Sequence, residues 1–266
     1  MSQASAPSDQ PMPAHAPRVI PAATLVIFRN APQAGQPPEL LFVQRSREMR
    51  FAGGATVFPG GRVDPADREL GARLLPAMPI EMAAARIAAI RETLEETGLA
   101  IAVDRPVSVD EARTAREVLL EDGRLSTVLD RFGWTLDPQS LAFFAHWCPL
   151  WEGAFDTRFF ITDLGTGAVD VTVDATENTR LFWASAAEAL AMADRGEISV
   201  IFPTRRNLER LALYASHEEA LAALRRFPQR RVHPWAEQRP DGEWLVIPDD
   251  LGYPVLGEPK ASARRG

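Results

Sequence analysis

From Ile80 to Thr97 the chain is rich in Ala, Glu, Arg and Leu, all strong helix formers, and Gly98 supplies a C-terminal stop. Within this segment, Arg91-Glu92-Thr93-Leu94-Glu95-Glu96-Thr97-Gly98-Leu99 constrains the rest. Glu92, Glu95 and Glu96 stand at i, i+3 and i+4, so a helix brings them to one face. Ile87, Ile90 and Leu94 fall on the other face and can bury against a sheet. The carboxylates crowd the negative end of the helix macrodipole, and like charges one turn apart oppose each other by about 0.2–0.5 kcal/mol per pair. Arg91 offsets part of this repulsion. A divalent cation with a preference for hard oxygen ligands, Mg2+ or Mn2+, offsets far more.

Short β-branched and apolar runs surround this helix. Ala22–Phe28, Leu40–Gln44, Ala55–Phe58, Leu141–Trp147, Arg158–Ile161 and Leu181–Trp183 read as strands. Ser108–Phe132 reads as helical with a break at Gly123, and Ala184–Ala193 and about Arg205–Arg226 as further helices. At Pro59-Gly60-Gly61 no regular element is expected to continue. Asp64–Pro79, with its acids, prolines and glycine, reads as a surface excursion. Because the strands lie in adjacent runs without strict βα alternation, the fold class is α/β: a mixed sheet between helices with a helical insertion. The domain is placed at 18–230, with insertions near 68–81 and 104–135. A disordered tail over 1–17 precedes it, and a Pro-rich C-terminal extension over 231–266 follows.

With 46% hydrophobic residues in 266, the chain has ample material for a full core. Its net charge of −7 makes it a poor general binder of nucleic acid. The single cysteine, Cys148, excludes an internal disulfide framework, and apolar packing is its expected role. No run approaches the roughly 18 apolar residues that span a bilayer. The N-terminus lacks the basic start and apolar core of a secretory signal, so a cytoplasmic protein is expected. A homodimer is compatible with the sequence.

The glycine turn Phe58-Pro59-Gly60-Gly61, together with the carboxylate helix and Gly98, resembles the Nudix box, G-x5-E-x7-R-E-U-x-E-E-x-G-U with U apolar. Gly61 matches its first glycine, Asp67 stands where the pattern has Glu, and Arg91, Glu92, Glu95, Glu96, Gly98 and Leu99 match its second half. Thr93 replaces an apolar residue. Asp67 and Arg91 are much further apart than in the pattern, which implies a loop, about Arg68 to Glu81, inserted before the helix. The resemblance implies the Nudix fold and a hydrolase of phosphoanhydride bonds. Glu95 and Glu96 would be the main ligands of Mg2+ or Mn2+. Glu92 would be a further ligand or would help activate water, and Arg91 would hold it by an ion pair. Gly60 and Gly61 would admit the substrate backbone-close, and Glu177, in a later loop, is the candidate general base.

A motif upstream of the box also resembles the coenzyme A diphosphatase branch, L-L-T-x-R-S-x3-R-x3-G-x3-F-P-G-G. Arg45, Ser46, Arg50 and Gly54 keep its spacing, while Phe42 and Val43 depart from it. This implies coenzyme A or acyl-CoA as substrate, with arginines to clamp its phosphates. His146-Trp147, Asp156-Thr157-Arg158-Phe159-Phe160 and Phe202-Pro203-Thr204-Arg205-Arg206-Asn207 are similar to the longer peroxisomal coenzyme A-cleaving members. There, Thr204 would cap a helix whose Arg205 and Arg206 form an anion site. Other nucleoside diphosphate derivatives, such as NADH or ADP-ribose, remain open as substrates. So does a non-catalytic Nudix-fold sensor or binding module.

Overall fold

The computed structural model describes residues 17–33, 35–46, 48, 52–164 and 178–263. Residues 1–16 of the expected tail, Arg50 and Glu177 therefore lie outside the described residues. The elements run β1 (Ile20–Arg29), β2 (Glu39–Arg45), β3 (Thr56–Val57), β4 (Gly60–Arg62), α1 (Pro65–Leu74), α2 (Ile80–Thr97), α3 (Val109–Asp122) and α4 (Leu125–Phe132). They continue with β5 (Ala142–Trp147), β6 (Phe155–Asp163), β7 (Asn178–Ser185), α5 (Ala186–Asp194), α6 (Phe202–Leu211), α7 (His217–Leu224), β8 (Arg231–Val232), β9 (Trp235–Arg239), β10 (Gly242–Val246) and β11 (Gly257–Pro259).

Eight strands form one mixed sheet in the order β3-β2-β1-β6-β5-β8, with β4 also on β1 and β7 also on β2. β1 runs parallel to β6 and antiparallel to β2 and β4. Side chains of β1 alternate between two cores, as the two-residue period of a strand requires. Ala23, Leu25 and Ile27 face one core with Ile87, Ile90 and Leu94 of α2 and with residues of α1, α3 and α4. Val26 and Phe28 face the other, with Ala189, Phe202, Leu208 and Ala220 of α5 to α7. The result is the expected sheet between helical layers. Val232, Leu245, Ile247 and Tyr253 join the second core, so the C-terminal segment packs against the domain. β9 to β11 form a separate antiparallel sheet.

Three expectations are corrected. The Asp64–Pro79 excursion contains a helix. Pro65 occupies the first helical position, where its missing N–H costs nothing, and Asp64 and Asp67 form a reciprocal capping box. Gly71 lets α1 pack against α2, because a Cβ there would come within 2.9 Å of the Ala83 and Ala84 backbone. The chain also resumes a strand at Gly60–Arg62, in register with Ala22–Thr24 of β1. The expected Arg205–Arg226 helix is two helices, broken between Leu211 and His217, and Ser216 caps the second by accepting from the Glu219 N–H.

Candidate active site

Helix α2 ends where predicted. Gly98 takes a left-handed conformation (φ 75°) and donates its N–H to the Leu94 carbonyl. Thr93, the departure from the apolar pattern, is fully buried, and its hydroxyl donates to Ala89 O at 2.7 Å. A helical carbonyl one turn back thus satisfies the polar atom, and the core accepts Thr in an apolar position.

The glycine turn meets the carboxylates directly. The Gly60 N–H donates to Glu96 Oε2 at 2.8 Å. A Cβ on Gly61 would overlap the Glu92 carboxyl group, and one on Gly60 would overlap the backbone of Ala23 and Thr24. With φ at 153°, Gly60 also has a conformation that other residues rarely adopt. Gly61 is therefore what allows β4 and α2 to approach this closely, and Gly60 is what allows β4 to lie against β1.

Arg91 organises the acids around it. It is buried, and its Nε and Nη2 donate to Asp67 Oδ1 and Oδ2 at 3.0 Å each. Nη2 also donates to Arg62 O at 2.9 Å, while Nη1 lies 2.9 Å from Glu92 Oε1 and 3.3 Å from Glu95 Oε2. Burial alone would lower the guanidinium pKa, but the Asp67 bonds and the charges of Glu92, Asp67 and Asp64 raise it. Arg91 is therefore a fixed cation. Burial pushes Glu92 up to about 8, against the pull of Arg91 and with the added repulsion of Glu96 and Glu95. Such a group gains from any further positive charge.

The expected site residues divide into two sets. Gly60, Gly61, Arg91, Glu92, Glu95 and Glu96 come together. Arg45 pairs across strands with Asn178, whose Nδ2 donates to Glu96 Oε1 at 3.3 Å. Ser46 Oγ accepts from the Glu48 N–H at 3.4 Å. Arg205 and Arg206 do not join: α6 packs on the face of the sheet opposite α2. Arg206 pairs with Glu209 at 2.7 Å and Glu258 at 3.1 Å, and Arg205 with Asp194 at 2.6 Å. The cap of α6 is Ile201, not Thr204, which is buried inside the helix. These guanidiniums tie α6 to the C-terminal strands instead of forming an anion site.

Sequence reasoning missed Asn178. It is 2% exposed, and only the β2–β7 register, with an irregularity between Gln44 and Arg45, brings it to Glu96. It also gave no close pairing to His146 and Asp156, which lie 2.5 Å apart, with Arg158 3.4 Å from Asp156. Cys148 is buried, and burial followed by the Asp156 charge pushes its thiol up to about 12. It is no nucleophile at neutral pH.

Among the described residues, no three His, Cys, Asp or Glu side chains form a ready metal cage. Glu92 and Glu95 are turned onto Arg91, and Glu96 onto Gly60 and Asn178. The donor set nevertheless fits a hard divalent ion: carboxylate oxygens on one helical turn, and Gly61 leaving room where a side chain would collide with Glu92.

No family model matches the chain, and no curated protein does. Among solved structures, a NUDIX hydrolase from Alicyclobacillus acidocaldarius is 29% identical, with a TM-score of 0.66 over 77% of this chain and 96% of that one. This chain has the Nudix fold. Two more distant structures are a MutT protein from Methanosarcina mazei Go1 (17% identity, TM-score 0.41, 73% of this chain and 94% of that one) and a C. elegans Ap4A hydrolase binary complex (20%, 0.35, 66% and 88%). The Alicyclobacillus likeness and the glycine–carboxylate geometry together support a Nudix hydrolase that cleaves phosphoanhydride bonds. The inserted helix α1 keeps Asp67 within reach of Arg91 despite the longer spacing.

Proposed function

We propose that the protein is a divalent-metal-dependent Nudix diphosphatase that cleaves coenzyme A or acyl-CoA into 3′,5′-ADP and (acyl-)4′-phosphopantetheine. The observation that carries the metal-dependent reading is the meeting of Gly61 with the Glu92 carboxyl, beside Glu95 and Glu96 on one helical face. A bound Mg2+ or Mn2+ would neutralise the diphosphate, polarise its P–O bonds and lower the pKa of water beside it. Glu92, Glu95 and Glu96 would hold the ion. Arg91, fixed by Asp67, holds Glu92 and Glu95 by ion pairs, and Gly60 orients Glu96 through its N–H.

The coenzyme A assignment rests on the spacing of Arg45, Ser46, Arg50 and Gly54 before the turn. Arg45 supports it further: among the described residues its buried Nε has no hydrogen-bond partner, so this donor is left unsatisfied beside the turn. Incubation with coenzyme A and Mg2+ or Mn2+, followed by product analysis, tests the assignment. Release of 3′,5′-ADP is expected. Its absence across metals and acyl chains, with turnover of NADH or ADP-ribose, would move the substrate to another nucleoside diphosphate derivative.

A further inference from the structure

Asn178 opens β7 opposite Arg45 and is almost wholly buried. Its amide orientation follows from chemistry, because a carboxylate accepts hydrogen bonds and cannot donate them. Nδ2 must therefore face Glu96 Oε1, 3.3 Å away, and Oδ1 must face elsewhere. Oδ1 is buried and, among the described residues, has no hydrogen-bond partner. A buried amide oxygen left without a donor costs about 1–3 kcal/mol, so such an atom usually serves a ligand or an ordered water.

Glu96 is thus held from two sides. Gly60 donates to Oε2 from the glycine turn, and Asn178 donates to Oε1 from β7. Two donors on different oxygens fix the plane of a carboxylate, and a fixed plane decides where its remaining lone pairs point. Groups that orient ion-binding side chains in this way commonly change metal affinity by about 10–100-fold when removed.

We infer that Asn178 is a positioning residue of the hydrolase site. Its amide sets the Glu96 carboxylate for the divalent ion, and its Oδ1 accepts a hydrogen bond from a water that enters the site with the substrate. The inference rests on the metal-dependent reading above and adds to it a residue from outside the Nudix helix and its glycine turn.

Manganese binding followed by electron paramagnetic resonance, on the full chain without substrate, separates the two. Asn178→Ala removes both amide functions, and Asn178→Leu removes them while keeping the branched heavy-atom skeleton, at a somewhat larger volume. In both variants the Mn2+ Kd is expected to rise about tenfold or more and kcat to fall by a similar factor, with KM within about twofold and Tm within a few degrees. If the alanine variant does not fold, the leucine variant carries the same reading. Wild-type Mn2+ affinity and kcat in a folded variant would overturn the role of Asn178 and leave the diphosphatase reading intact. A lower Tm with unchanged Kd would do the same, because it would make Asn178 purely structural. No Mn2+ uptake by the wild type would overturn both.

Discussion

Arg91 grips Asp67 by two parallel hydrogen bonds, Nε to Oδ1 and Nη2 to Oδ2, each 3.0 Å long, although the two residues belong to different helices. Both side chains are buried. The pair therefore links the inserted helix to the carboxylate helix, and through Arg91 it reaches Glu92 and Glu95.

Breaking the pair from one side leaves a buried cation without its main partner. Asp67→Ala is expected to lower the unfolding free energy by about 3–5 kcal/mol, read from urea denaturation. Hydrolase activity should fall as well, because Arg91 is freed to move away from Glu92 and Glu95. A loss below about 1 kcal/mol would show that the pair does not anchor α1.

Adjacent glycines should fail in different ways. In Gly61→Ala the three atoms nearest the new methyl are all at the end of the Glu92 side chain, so the fold is expected to survive while the site is displaced. Activity is expected to drop at least about tenfold with Tm nearly unchanged. In Gly60→Ala the methyl meets Ala23 and Thr24 backbone at a positive φ, a strain of about 1–3 kcal/mol or more. Thermal melts alongside activity assays of the two variants check the contrast.

Acid should weaken the protein through Asp156. Burial opposes its charge, but the His146 bond and the charges of His146, Arg158 and Arg231 outweigh burial and lower it to about 2. A depressed carboxylate stabilises the fold above its unfolded pKa near 4, and this contribution disappears as pH falls through the folded value. About 2 kcal/mol should therefore be lost between about pH 4 and pH 2. Urea unfolding of wild type and Asp156→Asn across that window tests it, and the same slope in both would remove Asp156 from the account.

The parts of the molecule that were legible in the sequence are those set by local chemistry. Gly98 stops α2 and Gly123 divides α3 from α4 because each supplies a left-handed turn. The β1 and β2 runs are apolar because both of their faces are buried. α1 was hidden because Pro65 and Asp64, which read as loop residues, are also what starts a helix. β4 was hidden because Gly60 and Gly61 serve close approach there, not a turn. The spacing on one helix brought Glu92 and Glu95 to Arg91 and Glu96 to Gly60. Asn178 depends on strand register over a long sequence separation, which no local pattern encodes. Arg205 and Arg206 resembled an anion site because sequence shows basic residues and not the acids, Glu209 and Glu258, that meet them.

Calorimetric titration of Mn2+ into the wild-type protein and Glu96→Gln tests most directly whether the carboxylate turn is a metal site. The wild type should show saturable uptake. The variant, which keeps the fold and the side-chain size but removes one charge, should bind at least about tenfold more weakly and lose most turnover. Equal uptake and equal turnover by the two proteins, or no uptake by either, would contradict a hydrolase built on Glu92, Glu95 and Glu96.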